Sequence, residues 1–168
     1  MYIKRHMETL VMALNQQYPV LLLTGPRQAG KTTMLEHLAA AEGRGRASVS
    51  LDDLTERELA KTDPKMFFQL HRPPLLIDEV QYAPELFPYI KIMADARHAP
   101  GDFWLTGSQL FKMMEGVRES LAGRVALLHL SALSQSEILG WTQDAPFNLD
   151  FSVLAERQQH RSMLDTPA

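Results

Sequence analysis

The chain has 168 residues, of which 45% are hydrophobic and 22% charged, the ordinary balance of a soluble globular domain. Its net charge of −3 indicates no general electrostatic attraction to nucleic acid or anionic lipid and leaves only a local basic patch as a route to either. Cysteine is absent, which removes disulfides and thiolate metal sites, and the six histidines lie at least 27 residues apart, so they offer no metal-binding pair.

The N-terminal stretch "MYIKRHMETLVMALNQQ" lacks an unbroken apolar segment of signal-peptide length. With no membrane-spanning run anywhere, the expected setting is cytoplasmic, with no membrane partner. Ile3, Met7, Leu10, Val11 and Leu14 recur at helical spacing and predict an amphipathic helix over residues 3–17. "PVLLLTG" follows, continuous in apolar residues rather than alternating, as a strand buried on both faces must be. Residues 31–42 are helix-like and end at Gly43, a C-cap residue.

"RASVSLDD" reads as a second strand. Asp53 with Glu56 resembles a capping box, and Asp63-Pro64 an N-cap with proline in the first turn. "PPLLIDEV" is a third strand, residues 85–98 a helix, and "GDFWLTGS" a fourth strand. A helix over residues 109–122 and a fifth strand, "RVALLHLSAL", follow. "SQSEILGW" suggests a short helix, and residues 150–164 another, within a polar tail. Strands alternating with helices predict an α/β sheet that is mostly parallel.

"GPRQAGKTT" satisfies G-x-x-x-x-G-K-[ST] at Gly25, Gly30, Lys31 and Thr32, between a buried strand and a helix, the context that this phosphate-binding loop requires. Glycines allow successive backbone amides to turn inward and approach phosphate oxygens, and the helix start adds unpaired amides and its positive dipole end. The whole loop, Gly25, Pro26, Arg27, Gln28, Ala29, Gly30, Lys31, Thr32 and Thr33, is therefore the expected nucleotide cradle. Within it Lys31 reaches the β- and γ-phosphates, the Thr32 hydroxyl ligates Mg²⁺, and Thr33 lies toward the α-phosphate.

"LLIDE" supplies the acidic partner, 47 residues beyond Lys31. There Asp78 would hold Mg²⁺, and Glu79 would orient and deprotonate the attacking water. Asp52 is a further candidate for the metal's outer shell, whereas Asp53 suits helix capping. Thr106 and Ser108, in "WLTGSQ", stand where a hydroxyl can meet the γ-phosphate or the water, or where Ser108 caps a helix. Arg124 follows Gly123, a helix C-cap, and is either a surface ion-pair residue or a cation for a neighbouring subunit's site.

Taken together, "GPRQAGKTT", "LLIDEVQYAPEL", "LTGSQ" and "ESLAGRVALLHLSALSQSEIL" resemble the AAA-type ATPases of bacteria and archaea that carry a C-terminal domain of unknown function. Arg27 and Gln28 inside the loop are part of that likeness. The resemblance implies a P-loop NTPase three-layer fold with a five-stranded sheet in the order 5-1-4-3-2, and a core over residues 1–140. It implies ATP and Mg²⁺ as ligands, Ser108 or Thr106 as sensor, and Arg124 as a finger acting in trans within a homo-oligomer. Nucleic acid enters only as a family analogy. Residues 141–168 are expected to be a truncated or poorly anchored tail in place of the helical lid. Two functions follow: Mg²⁺-dependent ATP hydrolysis, or a nucleotide-binding switch without useful turnover. Kinase transfer lacks an acceptor pocket, and GTP lacks an Asn-Lys-x-Asp segment to read guanine.

Overall fold

In the computed structural model, residues 2–108, 116–117 and 119–140 are described. The elements are α1 (Glu8–Asn15), β1 (Val20–Thr24), α2 (Lys31–Glu42), β2 (Ala47–Ser50), α3 (Leu54–Thr62), α4 (Pro64–Leu70), β3 (Leu75–Asp78), a 3-10 turn (Val80–Tyr82), α5 (Leu86–Arg97), β4 (Phe103–Gly107), β5 (Val125–His129) and α6 (Gln135–Ile138). Among these, no helix is long and apolar enough to cross a membrane.

The five strands form one parallel sheet in the order β2-β3-β4-β1-β5, the expected order read from the other edge. Its composition explains the layers. Side chains alternate across a strand, so Val20 and Leu22 join one core cluster while Leu21 and Leu23 join the other. The first cluster packs under α3, α4 and α5 through Phe67, Phe87 and Ile90, and the second under α1 and α2 through Val11, Met34 and Leu35. Covering both faces makes "VLLLT" buried at all five positions and forces its apolar continuity. The result is a three-layer α/β/α sandwich.

Local chemistry sets the ends of the elements. Asp53 accepts from the Thr55 and Glu56 amides and Asp63 from the Met66 amide, as N-caps do. The Glu56 carboxylate turns away to His71, 2.8 Å from its Nε2, so the expected reciprocal box gives way to a side-chain pair. Ser134 and Glu137 do form a full capping box ahead of α6.

The N-terminal helix is shorter than its periodicity predicts. It begins at Glu8, and the preceding residues form a non-helical strap, closed by a turn in which the Glu8 amide donates to the Arg5 carbonyl at 3.2 Å, with Arg5 only 4% exposed. Burying a guanidinium requires hydrogen-bond and charge partners, and the strap finds them on the phosphate loop and α6. In the predicted helix over 109–122, Gly116, Val117, Glu119 and Ser120 are helical; residues 109–115 and 118 lie outside the described residues, as does the predicted helix over 150–164.

Candidate phosphate-binding site

The site sits at the carboxyl ends of β1, β3 and β4. Register places Leu23 beside Thr106 and Ile77 beside Leu105, so the loop after Thr24, the carboxylate of Asp78 and the hydroxyl of Thr106 emerge at one edge. From β1 the chain crosses to β2 at the far edge of the sheet. Such a change of direction opens a crevice in which open α/β sheets bind ligands.

The loop backbone needs its glycines. Gly25 has φ +144°, and a β-carbon there would lie 2.1 Å from the backbone oxygen of Leu130, just past the neighbouring β5. Gly30 caps α2 in the left-handed conformation, with φ 85°. Between them Gln28, at φ 61°, carries the same left-handed turn on a non-glycine residue. Lys31, only 5% exposed, donates from Nζ to the carbonyls of Pro26 at 2.8 Å and Gly25 at 3.1 Å. Two neutral carbonyls hold its charge over the loop mouth, a position from which an anion can recruit it.

Asp78 is the hub of the acidic end. Its Oδ1 accepts from Thr32 Oγ1 at 2.6 Å and from Thr106 Oγ1, and its Oδ2 accepts from Ser50 Oγ at 3.3 Å. All three donors are neutral, and among the described residues no cationic side chain pairs with Asp78. A carboxylate beside hydroxyl oxygens, with its charge uncompensated, suits a hard divalent cation. Asp52 does not join this group: its carboxylate is exposed and lies 3.7 Å from Arg57.

Glu79 stands apart from that hub. Its backbone is left-handed, φ 56° and ψ 44°, and its amide donates to Thr106 Oγ1 at 3.2 Å. This turn swings the carboxylate toward Ser108, whose Oγ donates to Oε2 at 3.3 Å, and toward Gln81, whose Nε2 donates to the same oxygen. Thr106 and Ser108 thus divide the two acidic residues between them.

Of the loop's outer residues, Arg27 donates from Nη2 to the Tyr82 hydroxyl at 3.2 Å, and the same ring carries Arg57 3.9 Å above its centroid. Behind the loop, Arg5 donates to the Ala29 carbonyl at 2.7 Å, to the Ser131 carbonyl at 2.7 Å and to Glu137 Oε1 at 3.0 Å. Burial pushes the Glu137 carboxyl up, but the amides of Ser134 and His6, with Arg5 and the Ser134 hydroxyl, outweigh it and hold the group at about 2.

Arg124, expected to act on a neighbouring copy's site, lies away from its own loop. It precedes Val125, which pairs with Val20 at the start of β1, whereas the loop follows Thr24 at the other end of the strand. The strand length separates them, and Arg124 forms a forked pair with Asp95, Nη2 to Oδ2 at 2.9 Å, holding that carboxyl below its ordinary value. Service to its own loop is excluded. The residues missed by sequence reading are Arg5, Ser50 and Gln81. Arg5 lay in a stretch with helical spacing, and Ser50 and Gln81 carry no motif signal.

A family model described as an AAA domain matches residues 17–139. Uncharacterized proteins of Mycobacterium bovis and Mycobacterium tuberculosis are each 36% identical over 121 residues, which is 71% of this chain and 26% of theirs. The match therefore spans about a quarter of the length of these relatives. Among solved structures, the Walker-type ATPase of Pyrococcus abyssi superposes with a TM-score of 0.54 at 18% identity, covering 99% of this chain and 60% of that one. A DNA replication initiation factor gives the same TM-score of 0.54 at 16% identity, covering 92% and 49%. At such identities these two structures speak for the fold alone.

Proposed function

The chain belongs to the AAA domain family, and from that premise we propose that it binds ATP and hydrolyses it, with Mg²⁺, to ADP and phosphate. The observation that carries this reading is the 2.6 Å contact of Thr32 with Asp78, which joins the phosphate loop to the acidic strand end across 46 residues of sequence. Both belong to the core proposed for residues 1–140.

The loop amides of Gly25 to Thr33 and the start of α2 receive the phosphates, with Arg27 at the outer rim. Lys31 exchanges its two loop carbonyls for β- and γ-phosphate oxygens, an exchange that costs little because the amine is already desolvated and aimed. Thr32 and Asp78 hold Mg²⁺, which when bound neutralises charge on the phosphate oxygens. Glu79 takes a proton from water as the water oxygen bonds to the γ-phosphorus and the bond to the bridging oxygen breaks. Ser108 steadies Glu79, Thr106 steadies Asp78, and Arg124 completes the site of a neighbouring copy in a homo-oligomer.

Phosphate release from purified protein, with and without Mg²⁺, tests this. Lys31→Ala should abolish ATP binding. Glu79→Gln should keep binding but lower turnover by about 10²-fold or more. Tight ATP binding with release no faster than about 10⁻⁴ s⁻¹ marks a non-hydrolysing switch instead. Turnover unmoved by Glu79→Gln removes the assigned base.

A further inference from the structure

Glu79 offers its two carboxylate oxygens to different tasks. Oε2 accepts from both Gln81 Nε2 and Ser108 Oγ, and those two donors lie 3.4 Å from each other, closing a three-membered ring of side chains. Oε1 has no partner among the described residues. A carboxylate tethered through one oxygen has its swing fixed and its other lone pairs left for an incoming proton.

The amide orientation of Gln81 follows from the chemistry. An amide oxygen turned against Oε2 would set two acceptors together, so Nε2 must face the carboxylate. The carbonyl oxygen then points elsewhere, and Gln81 Oε1 is buried without a hydrogen-bond partner among the described residues. A buried acceptor left unmade is costly, so a site that retains one is suited to a donor that arrives with the ligand, such as water.

Backbone strain builds the same feature. Glu79 adopts φ 56°, and the 3-10 turn after it, closed by the Tyr82 amide on the Glu79 carbonyl at 3.1 Å, folds Gln81 back over Glu79. Left-handed backbone on a residue with a β-carbon is disfavoured and persists where its surroundings impose it.

We propose that Gln81 is a positioning residue for ATP hydrolysis: its amide N–H fixes the Glu79 carboxylate so that the free oxygen, Oε1, meets the attacking water. This rests on the hydrolytic reading above. Gln81 touches neither phosphate nor metal and acts through Glu79.

The test is a double-mutant cycle on phosphate release. Gln81→Met keeps the side-chain length without the amide and should lower kcat about 10- to 100-fold, the scale of a misplaced reacting group, with the KM for ATP and its Kd changed less than about threefold. Glu79→Gln lowers kcat by its own factor, and adding Gln81→Met to it should cost nothing further, because the group that Gln81 positions is gone. An unchanged or raised kcat in Gln81→Met overturns the proposal, and so does a full additional loss in the double variant. Gln81→Asn, which keeps the amide on a shorter stem, should match Gln81→Met and serves if the latter does not fold. A wild-type protein that binds ATP yet releases no phosphate overturns the hydrolytic reading itself, an outcome visible before any Gln81 variant is compared.

Discussion

Arg5 and Glu137, 132 residues apart in the sequence, form a buried ion pair with Nε 3.0 Å from Oε1. The same guanidinium holds the carbonyls of Ala29 and Ser131, so one side chain ties the N-terminal strap, the phosphate loop, the exit of β5 and the cap of α6 together. Removing one member of such a cluster strands the others. Arg5→Ala should therefore destabilise the protein by about 3–5 kcal/mol, measured by urea unfolding. A loss below about 1 kcal/mol would show that the strap is an ornament on an independently stable loop.

Acid should attack the same pair. The folded Glu137 carboxyl is held at about 2, below its ordinary 4.5. A depressed carboxyl contributes stability that is present above the unfolded value and is lost as pH falls toward the folded one. Stability of roughly 3 kcal/mol should thus drain away between about pH 4.5 and pH 2. Glu137→Gln should be less stable at neutral pH and show a flatter profile in that window. Parallel profiles for the two proteins would contradict the assignment.

Gly25→Ala places a β-carbon against the Leu130 carbonyl at 2.1 Å, on a backbone with φ +144°. Neither strain can relax without moving β5 or the loop. The expected cost is about 3 kcal/mol or more, with loss of ATP binding by calorimetry. Gly43→Ala is the control: its β-carbon meets nothing within 4 Å, so a φ of +70° is the sole penalty and binding should survive.

Asp78→Asn keeps the shape of the hub but removes the charge that would hold Mg²⁺. Titration of ATP should give similar affinity in chelator for variant and wild type, whereas the gain on adding Mg²⁺ should shrink by about 10- to 100-fold. An undiminished Mg²⁺ effect would move the metal away from Asp78.

Arg124 invites a mixing experiment. Arg124→Ala supplies an intact loop without the finger, and Lys31→Ala supplies the finger without a working loop. If the arginine acts in trans, mixing two inactive proteins restores turnover, since one arginine contributes about 10³-fold or more. Mixtures no better than their parts, or a particle that stays monomeric with ATP and Mg²⁺, would return Arg124 to its pairing with Asp95.

Much of the site was legible because its chemistry is local. A buried strand, a glycine-rich turn and a helix start are consecutive in "PVLLLTGPRQAGKTT", and the physics that places amides around phosphate acts within those residues. The caps at Asp53 and Asp63 were readable for the same reason. What resisted reading was long-range or conformational. Helical spacing over residues 3–17 gave no sign that Arg5 would be drawn 132 residues away to Glu137. Nor does the string "DEVQ" reveal that Glu79 turns left-handed and meets Gln81.

By itself the sequence determined where the strands lie, the glycine-rich loop after β1 and the acidic end of β3, since hydrophobic continuity and short motifs act through neighbouring residues; the strand order came from the family resemblance. The tertiary structure alone decided which of these side chains meet. Parallel register brought Thr32, Thr106 and Ser50 onto Asp78, a left-handed residue gave Glu79 to Ser108 and Gln81, and the direction of β5 sent Arg124 to the far end of the sheet. Each outcome depends on where strands end relative to one another, which is fixed by packing over the whole sheet and by no single stretch of chain.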